Sequence, residues 1–157
     1  MAGNSIRVER PSSREQLEQF ARLPFQVYGN RDAWWPPDVQ NEIDLLARRS
    51  LLSAYLDLEP FCAWRADKLV ARVTAIVNRR YIEHWHEPLG QLIHFEALDD
   101  EDDAVAAMIA ASVNWLRERG MRVARDRQPP DDRAVRALRN EHRRVRVAAH
   151  RLQIPPH

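Results

Sequence analysis

An α/β domain is what this sequence predicts: a mixed sheet with an antiparallel meander, flanked by helices and incomplete at its C-terminal end. Three observations carry that expectation. Residues 61–66 and 69–79 read as two strands around an Asp67-Lys68 turn, and the middle of the second (Val73, Ala75, Ile76, Val77) is apolar on both faces, as in a central strand. Residues 91–98 alternate into a third strand of the same meander. Val105, Met108, Ile109, Ser112, Trp115 and Leu116 recur at helical spacing and give that sheet a helix to pack against.

Taken in order, Ile6 and Val8 alternate with Arg7 and Glu9 as in a half-buried strand, which Pro11 ends. Ser12 and Ser13 each stand three residues before Glu15 or Gln16. Either can form a capping box, which satisfies the unpaired N–H groups of a helix start. Leu17, Phe20 and Ala21 then share a face. Pro24 lacks a backbone donor and is expected to kink or end this helix, while Phe25, Val27 and Tyr28 keep the segment apolar up to a Gly29-Asn30 turn. Past Trp34-Trp35, the pair Pro36-Pro37 suits the first position of a second helix over residues 38–49, with Val39, Ile43, Leu45 and Leu46 as its buried stripe.

Beyond the two central strands, residues 81–87 are polar and aromatic and read as a loop, punctuated by Pro88 and Gly90. The acidic run 99–103 suits the start of a helix over residues 102–119, because negative charge favours the N-terminal end of the helix dipole. Arg117 and Arg119 suit its end, and Gly120 is placed for a left-handed cap. Residues 121–124 begin one more strand. Pro129-Pro130 then breaks the chain, and Val135, Leu138, His142, Val145, Ala149 and Leu152 favour an amphipathic helix over residues 132–152, although Val145-Arg146-Val147 permits a strand.

A chain of 157 residues, 45% apolar and 30% charged, fits one soluble globular domain with a real core. Its net charge of +1 hides an asymmetry: residues 1–121 carry 14 basic and 19 acidic side chains, and residues 122–157 carry 10 and 4. No run reaches the roughly eighteen apolar residues of a membrane span, and the first ten residues lack the apolar core of a secretory signal, so a cytoplasmic protein without a membrane partner is expected. The lone Cys62 excludes an intrachain disulfide and a CxxC zinc or redox site. Arginines of the C-terminal segment have no aromatic residue among them to stack bases, so nucleic acid is not an expected partner.

The order strand, helix, helix, meander, long helix, strand has residues attached to it. They are Arg31-Asp32-Ala33-Trp34-Trp35-Pro36-Pro37, the stretch from Ala71 into Ile76-Val77-Asn78-Arg79-Arg80, the strand end Phe95-Glu96, and Trp115-Leu116-Arg117-Glu118-Arg119-Gly120. In this order and spacing the chain resembles the front half of the GNAT superfamily of N-acyltransferases, and within it a group of bacterial GNAT-like proteins. The resemblance covers residues 5–124 as a partial acyltransferase domain and leaves residues 125–157 as an Arg-rich extension, helical or partly disordered. It implies transfer of an acetyl group from acetyl-CoA to an amine, on a small molecule or a protein. It also implies Glu96 as the base that takes the amine proton, and the backbone of Ala97 and Leu98 as the contact with the pantetheine arm.

Two departures from that pattern point to impaired activity. The loop ahead of the long helix, where these enzymes use glycine and free N–H groups to hold a pyrophosphate, reads Leu98-Asp99-Asp100-Glu101-Asp102-Asp103. The residues after Arg125 supply no clear pair of closing strands. The alternative is a catalytically silent GNAT-like module that binds a partner or forms a homodimer through an uncovered sheet edge.

Other candidates have plain structural explanations. Strand alternation puts Glu96 on one face with Leu92 and His94, where an arginine partner is the alternative to catalysis. His84 and His86, with Glu83, Glu87 and His94 nearby, carry metal-ligand chemistry if extended, but a polar loop accounts for them and no metal is expected. Cys62 reads as a buried strand cysteine, and Trp34-Trp35-Pro36-Pro37 as a corner pinned onto the core.

Overall fold

The computed structural model describes residues 5–29, 35–126, 147–148 and 151–154. The chain runs β1 (Ile6–Glu9), α1 (Arg14–Tyr28), α2 (Val39–Leu46), a 3-10 turn (Leu51–Ala54), β2 (Leu56–Arg65), β3 (Lys68–Asn78), α3 (Arg79–Trp85), β4 (Leu89–Ala97), α4 (Asp102–Glu118), β5 (Val123–Asp126), β6 (Val147–Ala148) and β7 (Arg151–Gln153). One sheet takes the order β1-β2-β3-β4-β5-β7-β6. Its neighbours are antiparallel except for the parallel β4–β5 pair.

The expected meander is β2, β3 and β4, and β3 is buried on both faces between its ends. Covering one face, α4 packs Met108, Ile109 and Leu116 into a core with Val73 and Phe95. On the other face, Phe20 and Leu23 of α1 and Leu46 of α2 meet Leu58, Trp64 and Ile76. Each such large apolar side chain stabilises the fold by about 1.5–3 kcal/mol when fully buried. Gly90 lets α4 approach β4 closely: a Cβ there would lie 2.6 Å from a methyl of Leu116. Gly120 closes α4 at φ +79, the left-handed cap its position predicts.

Local details select among the sequence's alternatives. Ser13 is the cap of α1, its Oγ accepting from the Gln16 N–H at 3.1 Å while the Gln16 side chain accepts from the Ser13 N–H. Pro24 lies inside α1, which continues to Tyr28 instead of ending there. Asp38 caps α2, so the proline pair precedes the helix, and α2 stops at Leu46, short of residue 49. Residues 79–85 form a helix rather than a loop, because the Asn78 side chain accepts from the Tyr81 N–H and starts it.

At the C-terminal end the sheet is extended. The described part of residues 132–152 is strand, not helix, because β7 pairs with the edge of β5 and satisfies its backbone groups. Ile154 follows it into the core on the α4 side, and its N–H donates to the Arg122 carbonyl at 2.7 Å. Val135, Leu138, His142, Val145 and Ala149 lie outside the described residues, as do Asn30 to Trp34.

Candidate functional site

Arg72 stands in the middle of an otherwise apolar strand and is 2% exposed. A guanidinium taken so far from water needs partners, and three elements supply them. Its Nε donates to Oε2 of Glu96 on β4 at 2.7 Å, and its Nη1 donates to Oε2 of Glu42 on α2 at 2.8 Å. Nη1 also donates to the Phe20 carbonyl of α1 at 2.9 Å. That carbonyl is available for a reason written in the sequence: the residue four positions on is Pro24, which has no N–H to offer it.

His94 completes the cluster. Its Nδ1 lies 3.1 Å from the Thr74 hydroxyl and its Nε2 lies 3.9 Å from Oε1 of Glu42. A bulge places it there. Arg72 pairs with Glu96 but Thr74 pairs with Ile93, so His94 and Phe95 together face Val73, and His94 takes φ +56. The extra residue resets the alternation of β4. Leu92 therefore packs in the α4-side core, not beside Glu96 as strict alternation predicts.

Burial, reinforced by Arg72, pushes the His94 imidazole down to about 3, which keeps it neutral near neutral pH. Burial raises the Glu42 carboxyl above its ordinary range despite the opposing pull of Arg72, and Glu96 and Asp38 add to the rise. Glu42 also lines a groove of about 500 Å³ beside α2, with Asn41, Asp44, Leu45, Arg49 and Leu52. Sequence reasoning missed Arg72 and Glu42. The signal for the first was a lone charge inside a doubly covered strand; the second gave none, since it reads as a solvated position on α2.

Of the residues singled out from sequence, Glu96 is a buried member of this cluster. Ala97 is fully buried opposite Ala71, and the Leu98 N–H donates to the Val70 carbonyl at 2.8 Å. In the acidic loop, Arg65 binds Glu101 at 2.8 Å and Asp103 at 2.6 Å, and Asp103 also accepts from the Ala104 N–H. These residues do not fit a coenzyme A pyrophosphate: the loop has no glycine, it carries five carboxylates, and Glu101, Asp103 and the Leu98 donor serve the fold.

The remaining candidates fall elsewhere. His84 is in α3 with its ring against Trp85, so it and His86 do not share an extended face. Among the described residues no group of three or more His, Cys, Asp or Glu side chains is placed to hold a metal ion. Cys62 is buried, and burial pushes its thiol up to about 12. Trp35 is 92% exposed and does not pin its corner to the core.

No family model matches the chain. Protein YghO of Escherichia coli is 23% identical over 108 residues, which is 69% of this chain and 27% of that protein, so the chain spans about a quarter of that relative's length. Solved structures are similar over most of the chain. A candidate acetyltransferase of Salmonella typhimurium, yncA, solved with its cofactor acetyl-CoA, matches with a TM-score of 0.69 at 10% identity, over 98% of this chain and 96% of its own. An aminoglycoside acetyltransferase from an uncultured soil metagenomic sample, in complex with sisomicin, gives 0.63 at 18% identity, over 92% and 93%. An acetyltransferase of the GNAT family from Staphylococcus aureus gives 0.56 at 11%, over 85% and 78%.

Proposed function

From the GNAT-like fold that this chain shares with those structures, we propose an N-acyltransferase-like protein whose family activity, acetyl transfer from acetyl-CoA to an amine, is impaired. The observation that carries the reading is the loop between β4 and α4, whose acids Glu101 and Asp103 are tied to Arg65. Five carboxylates repel a pyrophosphate, and the loop has no glycine to let one approach its backbone N–H groups closely. Glu96 is the candidate base of this chemistry, and its Oε2 is already an acceptor for Arg72. Ala97 and Leu98 are the candidate contacts of the pantetheine arm, with the Leu98 donor engaged by β3.

Calorimetric titration with acetyl-CoA tests this. Dissociation weaker than about 10 µM, or about −6.8 kcal/mol, is expected. Tighter binding, with release of free thiol in the presence of an amine, overturns the impairment.

The second reading is a silent binding or dimerisation module. It is favoured by the same Arg65 clamp, which makes the loop a structural link between the end of β2 and the start of α4. Sedimentation of the full chain separates the two oligomeric outcomes.

A further inference from the structure

We propose that the outer edge of β1 pairs antiparallel with the same edge of a second copy of this chain, in the register that sets Val8 opposite Val8. The inference rests on the dimerisation reading and deepens it, naming the surface, the partner and the register.

Among the described residues β1 ends the sheet, with β2 as its strand neighbour. Backbone groups alternate between the two sides of a strand, and one hydrogen bond fixes the parity here. The Ala66 N–H donates to the Ser5 carbonyl at 3.4 Å, so Ser5, Arg7 and Glu9 turn their backbone groups toward β2. Ile6, Val8 and Arg10 therefore present theirs outward. Arg10 stands before Pro11, which favours the extended backbone that pairing needs. With Val8 opposite Val8, Ile6 of each copy faces Arg10 of the other, and each of these facings exchanges main-chain hydrogen bonds.

The side chains select that register. Ile6 and Val8 are half-buried and pack against the core beneath α4, and the pairing brings those of two copies together on this face. On the opposite face, beside Trp64, Arg7 and Glu9 form an ion pair with 51% and 35% of their side chains still exposed. Each Arg7 then lies across from Glu9 of the second copy, at the positions without hydrogen bonds, where side chains approach closest. A slip of two residues one way sets Arg7 against Arg7, and the other way sets Glu9 against Glu9. Like charges directly opposite one another disfavour both.

The test is sedimentation equilibrium of the full chain from about 10 µM to about 1 mM, with circular dichroism to show that each variant is folded. The four-residue strand makes a small contact, so a weak dimer with a dissociation constant of about 100 µM is expected. V8P removes an outward N–H that β2 does not use and is expected to weaken the dimer at least about tenfold. R7E and E9R each set like charges opposite one another and should weaken it as well, whereas R7E/E9R restores opposite charges and should recover the association. These reversals keep the inference testable where V8P fails to fold. A capped peptide of residues 5–10 is expected to compete, and the same residues in scrambled order to compete at least about tenfold less well.

A folded wild type that stays monomeric to about 1 mM overturns the inference and the dimerisation reading together. A dimer indifferent to folded V8P, or to both single reversals, overturns the inference and leaves that reading standing with its contact on another surface. Failure of folded R7E/E9R to recover association overturns the register and with it the inference. Equal competition by the scrambled peptide does the same, since the edge would then receive strands of any order.

Discussion

Arg72 holds the buried Glu96 carboxylate, the half-buried Glu42 carboxylate and a helix carbonyl, and its value to the fold lies in what its removal would strand. Substitution R72M leaves Glu42 and Glu96 facing each other without a cation, and a loss of about 3–5 kcal/mol is expected. Adding E96Q and E42Q should recover much of it, because the stranded charge is then gone; urea melts of the single and triple variants check this. His94 sets an acid limit. Its folded value of about 3 lies below the ordinary 6.5, so the neutral ring stabilises the fold above 6.5, and that contribution is lost as pH falls toward 3. Glu42 has the opposite sign: its carboxyl is raised, so its protonated form favours the fold and stability falls as pH rises through its folded value. H94N, tolerated at positive φ, is expected to flatten the loss between pH 6.5 and about 4 in thermal melts.

Among the elements, the contact of β4 with α4 is the tightest to alter. G90A drives a methyl against Leu116 and is expected to cost about 1–3 kcal/mol. A second change, L116A, should make the pair less than additive, since it opens the space the methyl needs; denaturant midpoints of the four proteins measure the coupling. The capping box at α1 is separable from all this. S13A removes one side-chain acceptor from an exposed helix start, and a loss of about 0.5–2 kcal/mol is expected in the same measurement.

At the scale of the whole molecule, the sheet depends on chain that arrives last. β7 pairs with β5, and Ile154 enters the core that also holds Trp115 and Met121. A chain ending at Ala124 loses both and is expected to melt lower or aggregate, whereas an indifferent melt would make the C-terminal segment dispensable. Melting the two chains at low and high salt separates the apolar contribution, which salt does not screen, from any attraction between the Arg-rich segment and the acidic remainder.

Element types and the meander were legible in the sequence because burial writes local patterns: an apolar run on both faces for β3, alternation for β4, a period of 3.6 for α4. Met108, Ile109 and Leu116 follow from that period alone. The site did not. A bulge adds one residue to β4 without changing its composition, and it moves Leu92 away from Glu96 while bringing His94 to Thr74. Phe20, Glu42, Arg72 and Glu96 are far apart along the chain, and nothing local says which charges will meet once α1 and α2 settle on the sheet. For the same reason the spacing that reads as an amphipathic helix over residues 132–152 gives way, in its described part, to strand where the edge of β5 offers hydrogen bonds. Periodicity determined what each segment is; tertiary packing decided which buried charges share a partner, because only a folded chain removes them from water.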